Sequence, residues 1–168
     1  MNPYVAYENI IPLLAPADIA STITASSYMN IKYANRAAIL VVLGALTSAT
    51  ATDTEVLTVE AATAEGGTET AIAFTYRLSG ALGDNTWGAP TACASTGLAL
   101  DPAVHDNMLI WIELDPEVLF AAKADALFVR VRLTDTPDMG ACLVAVLGIL
   151  DVVYKQTTYN SSTASASS

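Results

Sequence analysis

Ala126 to Thr134, A-L-F-V-R-V-R-L-T, decides how the rest of the chain is read. Leu127, Val129, Val131 and Leu133 fall on one side of an extended backbone; Phe128, Arg130, Arg132 and Thr134 fall on the other. Side chains along a strand alternate with a period of two, so this is a β-strand with an apolar inner face and a wet outer face. Just upstream, Met108, Ile110, Ile112 and Leu114 alternate with Leu109, Trp111 and Glu113 in the same way.

Working outward, the same grammar predicts strands at Ser27–Tyr33, Ala37–Leu46, Thr54–Ala62, Thr70–Ser79, Thr91–Ala94 and Ala141–Tyr154. Ala34-Asn35-Arg36 reads as a turn, and A-E-G-G-T-E, Ala64 to Glu69, as a hairpin connection. Asp115 followed by Pro116 is a cap and a first helical position, which predicts one short helix near 116–123. The expected fold is all-β: an antiparallel, jelly-roll-like sandwich of eight to nine strands over 27–155. Residues 1–26, broken by Pro3, Pro12 and Pro16, read as an extended arm. That arm either crosses to another chain or packs on its own domain as a first edge strand. The Ser/Thr-rich tail, 156–168, has no core-forming residue after Tyr159, so its composition predicts disorder unless neighbouring chains pin it.

The 168 residues suffice for one core. Hydrophobic residues are 53% and charged residues 14%, against about 25% charged in ordinary domains. Either part of the surface is covered in an assembly, or much of the apolar count is alanine lying harmlessly outside. A net charge of −10 argues against nucleic acid and against an anionic membrane as partners. The N-terminus M-N-P-Y-V-A-Y lacks a basic segment followed by an apolar run, so no secretion signal is expected. Ala37–Leu46 and Ala141–Leu150 are about half the ~20 residues of a spanning helix and read as strands buried on both faces. Without a secretion signal, Cys93 and Cys142 are expected as free, buried thiols, with a disulfide between them as the alternative.

Candidate chemistry is sparse. His105, between Asp101 and Asp106, could act as a base or a metal ligand, but no nucleophile motif accompanies it and a loop role suffices. The acidic groups at Asp84, Asp101–Asp106 and Asp135–Asp138 match no calcium-loop pattern, and Glu113 with Asp115 is the sole carboxylate pair placed for glycoside chemistry. No catalytic residue, metal or cofactor is expected. Trp87, in a glycine-rich loop, could stack on a ligand or fill a subunit interface. Tyr4, Val5, Tyr7, Ile10, Trp87 and Tyr159 are the candidate assembly contacts.

The order and texture of several segments resemble small virion proteins of tailed bacteriophages: L-L-A-P-A-D-I, Y-M-N-I-K-Y, R-A-A-I-L-V-V-L-G-A, T-E-V-L-T-V-E-A-A-T-A, T-A-I-A-F-T-Y-R, D-A-L-F-V-R-V-R-L-T-D and G-A-C-L-V-A-V-L-G-I-L-D-V-V-Y. This resemblance covers about residues 7–155 and brings no catalytic residues. It implies a capsid decoration, or cement, protein, made in the host cytoplasm and placed on the capsid exterior. Such proteins commonly form homotrimers that clamp neighbouring copies of the major capsid protein. Two other readings remain: a carbohydrate-binding sandwich using Trp87, Tyr28 and Tyr33 as stacking faces, and a head–tail connector or tail component.

Overall fold

A computed structural model of the chain describes residues 8–20, 23–48, 55–135 and 139–152. The predicted tail, and Tyr4, Val5, Tyr7 and Tyr159 with it, lie outside the described residues. The strands are β1 (Glu8–Asp18), β2 (Thr24–Ala25), β3 (Met29–Asn30), β4 (Ala34–Ser48), β5 (Glu55–Ala62) and β6 (Thr70–Ile72). They continue with β7 (Phe74–Leu78), β8 (Thr91–Cys93), β9 (Leu98–Leu100), β10 (Leu109–Leu114), β11 (Phe128–Asp135) and β12 (Met139–Val152). Two short helices, α1 (Pro102–His105) and α2 (Pro116–Ala122), flank β10.

The strands form two antiparallel sheets. Sheet A runs β1-β12-β4-β10-β7-β8; sheet B runs β2-β11-β5-β6, with β3 also on β11 and β9 also on β5. The pairings are nested: β1 with β12, β2 and β3 with β11, β4 with β10, β5 with β6. First pairs with last and second with second-to-last, as in one long hairpin rolled into a sandwich. That is jelly-roll wrapping. The pair β7–β8 extends sheet A beyond β10, and β9 adds to sheet B.

The core lies between the sheets and follows the predicted alternation. Leu57, Val59, Val129, Val131 and Leu133 from sheet B face Ile39, Val41, Ile110, Ile112 and Val146 from sheet A, all buried. Ile72, Phe74, Tyr76 and Leu78 keep their period of two toward this core, although the chain leaves sheet B after β6 and joins sheet A as β7. One predicted strand is thus two, because the chain bends across the open edge of the sandwich without changing which side faces in.

Several expectations are corrected. Twelve strands among the described residues replace eight or nine, mostly because short edge pieces carry too few residues for their period to register. Ser27–Tyr33 shrinks to the two residues of β3, since Lys32 and Tyr33 enter a turn. Ala34-Asn35-Arg36 is no break but the start of β4. Of the two readings of the arm, the edge strand is the one seen: positions 8–18 form β1 along β12, with register shifts between Pro12 and Leu14 and between Leu14 and Ala17, so sheet A takes in residues ahead of position 27. Asp18 ends β1 by accepting from the N–H of Cys142 (3.0 Å) and of Ala20 (3.1 Å), bonds that hold its carboxyl below the usual range.

The helix predicted near 116–123 is α2, where Asp115 accepts from the Glu117 N–H at 2.8 Å. Helix α1 was not predicted, although Asp101-Pro102 carries the same signal and Asp101 accepts from Ala103 N–H at 2.8 Å. The turn before β9 holds Gly97 at φ +95, and a Cβ there would lie 2.7 Å from the Leu57 carbonyl oxygen. Gly97→Ala is therefore expected to destabilise the fold by about 2 kcal/mol, combining left-handed strain with a backbone clash; a chemical denaturation curve measures it.

Candidate assembly face

The outward faces of the two sheets differ in kind. On sheet B, Arg130 and Glu60 project from paired positions of β11 and β5. Arg130 Nε lies 2.8 Å from Glu60 Oε2, and its Nη2 lies 3.0 Å from Glu69 Oε1. The Tyr28 ring lies under the guanidinium, 4.9 Å from Cζ to centroid, and the Tyr28 hydroxyl donates to Glu69. Burial, and then the Glu69 carboxylate, push the Tyr28 phenol up; that hydrogen bond holds the Glu69 carboxyl down. Side-chain exposure is 13% for Arg130 and 12% for Glu60, so the face expected to be wet is covered by its own polar network.

Sheet A is apolar outside as well as inside. The strand registers align its outward residues in rows across β1, β12, β4, β10 and β7. One row reads Ile10, Ile149, Ala38, Glu113, Thr75 and the next Pro12, Leu147, Leu40, Trp111, Arg77. Beyond them come Ala145, Val42 and Leu109, and at the opposite end Asp151 beside Arg36. Leu40, Val42, Leu109, Trp111, Leu147 and Ile149 are all part-exposed and Ile10 is 50% exposed. No element of the described residues covers them. Ala37–Leu46 and Ala141–Leu150, expected to be buried on both faces, are buried on one.

At one end the face sinks into an apolar groove of about 400 Å³ between Pro16, Val42, Gly44, Leu143 and Ala145, ending at Asp18. Gly44 makes the close approach there: a Cβ on it would meet the Leu143 Cβ at 3.0 Å. At the opposite margin Trp87 is 44% exposed and stands edge-on to Trp111, with ring centroids 6.3 Å apart. Arg77 bridges to Glu113 at 3.6 Å and donates to the Gly88 carbonyl at 3.4 Å, tying the Trp87 loop to the sheet.

Of the predicted contacts, Ile10 and Trp87 lie toward opposite margins of this one face. Leu40, Val42, Trp111, Leu147 and Ile149 were missed as its substance. The signal for Trp111 was its place opposite Ile110 and Ile112 in an alternating strand; for the others it was the two unbroken apolar runs, which periodicity alone cannot assign to a covered or an uncovered face. Trp87, Tyr28 and Tyr33 are not brought together as a stacking platform. Tyr28 lies on sheet B beneath Arg130, Tyr33 lies in the turn after β3, and Trp87 bridges to Ser79 after β7.

The acidic candidates that are described have local duties, while Asp138 of the Asp135–Asp138 group lies outside the described residues. Asp101 and Asp115 cap helices, Asp106 accepts from Leu46 N–H at 2.8 Å, and Asp84 accepts from Thr86 N–H at 3.2 Å. Glu113 and Asp115 are divided between the Arg77 ion pair and the α2 cap. Among the described residues no three His, Cys, Asp or Glu side chains form a metal-binding group. The recess bounded by Ile31, Ala37, Leu114, Leu119 and Phe120 holds about 70 Å³, well below the ~300 Å³ at which small-molecule sites begin. Cys142 is buried as expected, whereas Cys93 is part-exposed; both are thiols.

His105 is 6% exposed, and its Nδ1 lies 2.9 Å from the Asp101 N, whose N–H it accepts when that nitrogen is bare, and 3.1 Å from the Asp101 carbonyl oxygen, to which it donates when protonated. Burial lowers its pKa below the ordinary 6.5, with Asp101 opposing in part. A group lowered on folding favours its neutral form in the fold. Its contribution is therefore complete above pH 6.5 and declines as pH falls through that value toward the folded-state pKa. His105→Asn is expected to flatten the fall in melting temperature between about pH 7 and 5, measured as a series of thermal melts.

Neither a family model, nor a curated protein, nor a solved structure matches this chain.

Proposed function

We propose that the chain is a structural virion protein that decorates the outside of a phage capsid and stabilises it by clamping neighbouring copies of the major capsid protein. The observation that supports this reading is the uncovered apolar face of sheet A. An apolar patch of that extent is a liability on a solitary protein and an asset in a permanent assembly. The second support is the resemblance carried by segments such as R-A-A-I-L-V-V-L-G-A and D-A-L-F-V-R-V-R-L-T-D. Jelly-roll sandwiches occur in viral capsid proteins and also in lectins, so the fold class alone separates neither. The dispersal of Trp87, Tyr28 and Tyr33 weighs against the lectin reading.

Clamping needs no chemistry. A protein that binds only the assembled shell stabilises the shell by the free energy of that binding, multiplied over many copies. The charge of −10 keeps such a protein from competing for packaged DNA. The test is co-sedimentation of the purified chain with empty expanded capsids, followed by heating. Saturable binding and a higher shell disruption temperature are expected. A chain that stays in the supernatant at every capsid concentration overturns the proposal, and hits on a glycan array lost in Trp87→Ala would move the assignment to carbohydrate binding.

A further inference from the structure

We infer that the outward face of sheet A docks on the same face of a second copy of this chain, the two related by a two-fold axis parallel to β12 and β4 and lying over the seam between them. Three observations select this occupant.

The first is charge. The chain carries −10, so most encounters between copies are repulsive. From β12 across to β7 the charged residues in the rows of this face are Arg36, Arg77, Glu113 and Asp151, two of each sign, and the edge strand β1 adds the acidic positions Glu8 and Asp18, so the face holds only a small part of the net charge. At the seam itself the charges that meet, Asp151 and Arg36, are of opposite sign.

The second is self-complementarity. Turning the face over about that axis exchanges the outward residues of β12 and β4. Leu147 then lies over Leu40 of the other copy, Ile149 over Ala38, and Ala145 over Val42, because these are the register partners on either side of the seam. The same operation brings Asp151 of each copy within an arginine's reach of Arg36 of the other, so each pair of chains gains two such contacts. Large residues meet small ones in two of the three apolar rows, as sheets packed about 10 Å apart require.

The third is size. From β1 to β10, and from Leu143 to Asp151, the patch measures roughly 20 Å by 27 Å at ordinary strand spacing and rise. Two such faces hide on the order of 1,000 Å² together, the threshold for a specific interface.

The full chain is tested by light scattering coupled to size exclusion at about 100 µM, a concentration that captures even micromolar pairs. The expected mass is that of two chains, falling to one in Leu147→Arg with an unchanged thermal melt. Arg36→Asp and Asp151→Arg, each alone, are expected to weaken pairing at least about tenfold by setting like charges opposite one another. Mixing these two variants is expected to restore it, because in the mixed pair both contacts join opposite charges. If Leu147→Arg melts early, the mixing experiment decides alone, its substitutions lying at the end of the sheet. A wild-type mass of one chain, a larger mass that Leu147→Arg leaves unchanged, or a mixture that recovers nothing overturns the inference. The pair stands on the sheet geometry and not on the virion reading: capsid binding by a strict monomer would remove it and leave that reading intact, and pairing without capsid binding would do the reverse.

Discussion

Arg130→Ala is expected to cost about 3 kcal/mol of folding stability, read from the midpoint of a urea titration at neutral pH. The substitution removes the cation and leaves the carboxylate. Glu60, whose side chain is 12% exposed, loses the guanidinium 2.8 Å away and has only Arg132, at 3.9 Å, as a neighbouring cation. Breaking a largely buried pair from one side is more damaging than never having built it, because the remaining charge keeps its desolvation penalty. The Tyr28 ring also loses the group that covers it. The double variant Arg130→Met with Glu60→Leu is expected to recover most of the loss, since it removes both charges while retaining the packing volume. If Arg130→Ala melts like the wild type, the network is only surface decoration and the covered character of sheet B's outer face is wrong.

Ile112→Ala is expected to cost about 4 kcal/mol, while Leu40→Ala, on the neighbouring strand but on the opposite face, costs about 1 kcal/mol or less in the isolated chain. Ile112 is fully buried between the sheets, and its truncation leaves a cavity that backbone pairing on both sides prevents from collapsing. Leu40 is part-exposed on the uncovered face and leaves no cavity. Paired denaturation curves at low protein concentration measure the difference. Equal losses would mean that sheet A is buried on both sides within one chain, which removes the basis of the assembly face. At high concentration the gap is expected to narrow, because pairing links the outer position to stability through mass action.

Much of the sandwich was legible in the residues. Leu127 to Leu133 and Ile110 to Leu114 repeat with a period that only a strand satisfies, and Asp115-Pro116 starts a helix by a mechanism contained in two residues. The helix at Asp101-Pro102 carries the same two residues, but with only four residues it is too short to show a helical period. The assembly face was harder to see. Val41 and Val42, or Val146 and Leu147, are chemically alike, and one of each faces the core while the other faces outward. A continuous apolar run states that both faces of a strand are greasy, not which one its own chain covers.

Local alternation, apolar runs of only about ten residues, the low charge and the cap at Asp115 are properties of neighbouring residues, and they can be read without knowing the fold. The nested pairing of β1 with β12 and of β2 with β11 joins residues more than a hundred positions apart, and no local pattern encodes which strand lies beside which. The convergence of Arg130, Glu60, Glu69 and Tyr28, and the alignment of Ile10, Leu40, Trp111 and Leu147 into one uncovered surface, followed only when those pairings brought distant strands into register. Side-chain direction is set within a strand; what a side chain meets is set by the sheet.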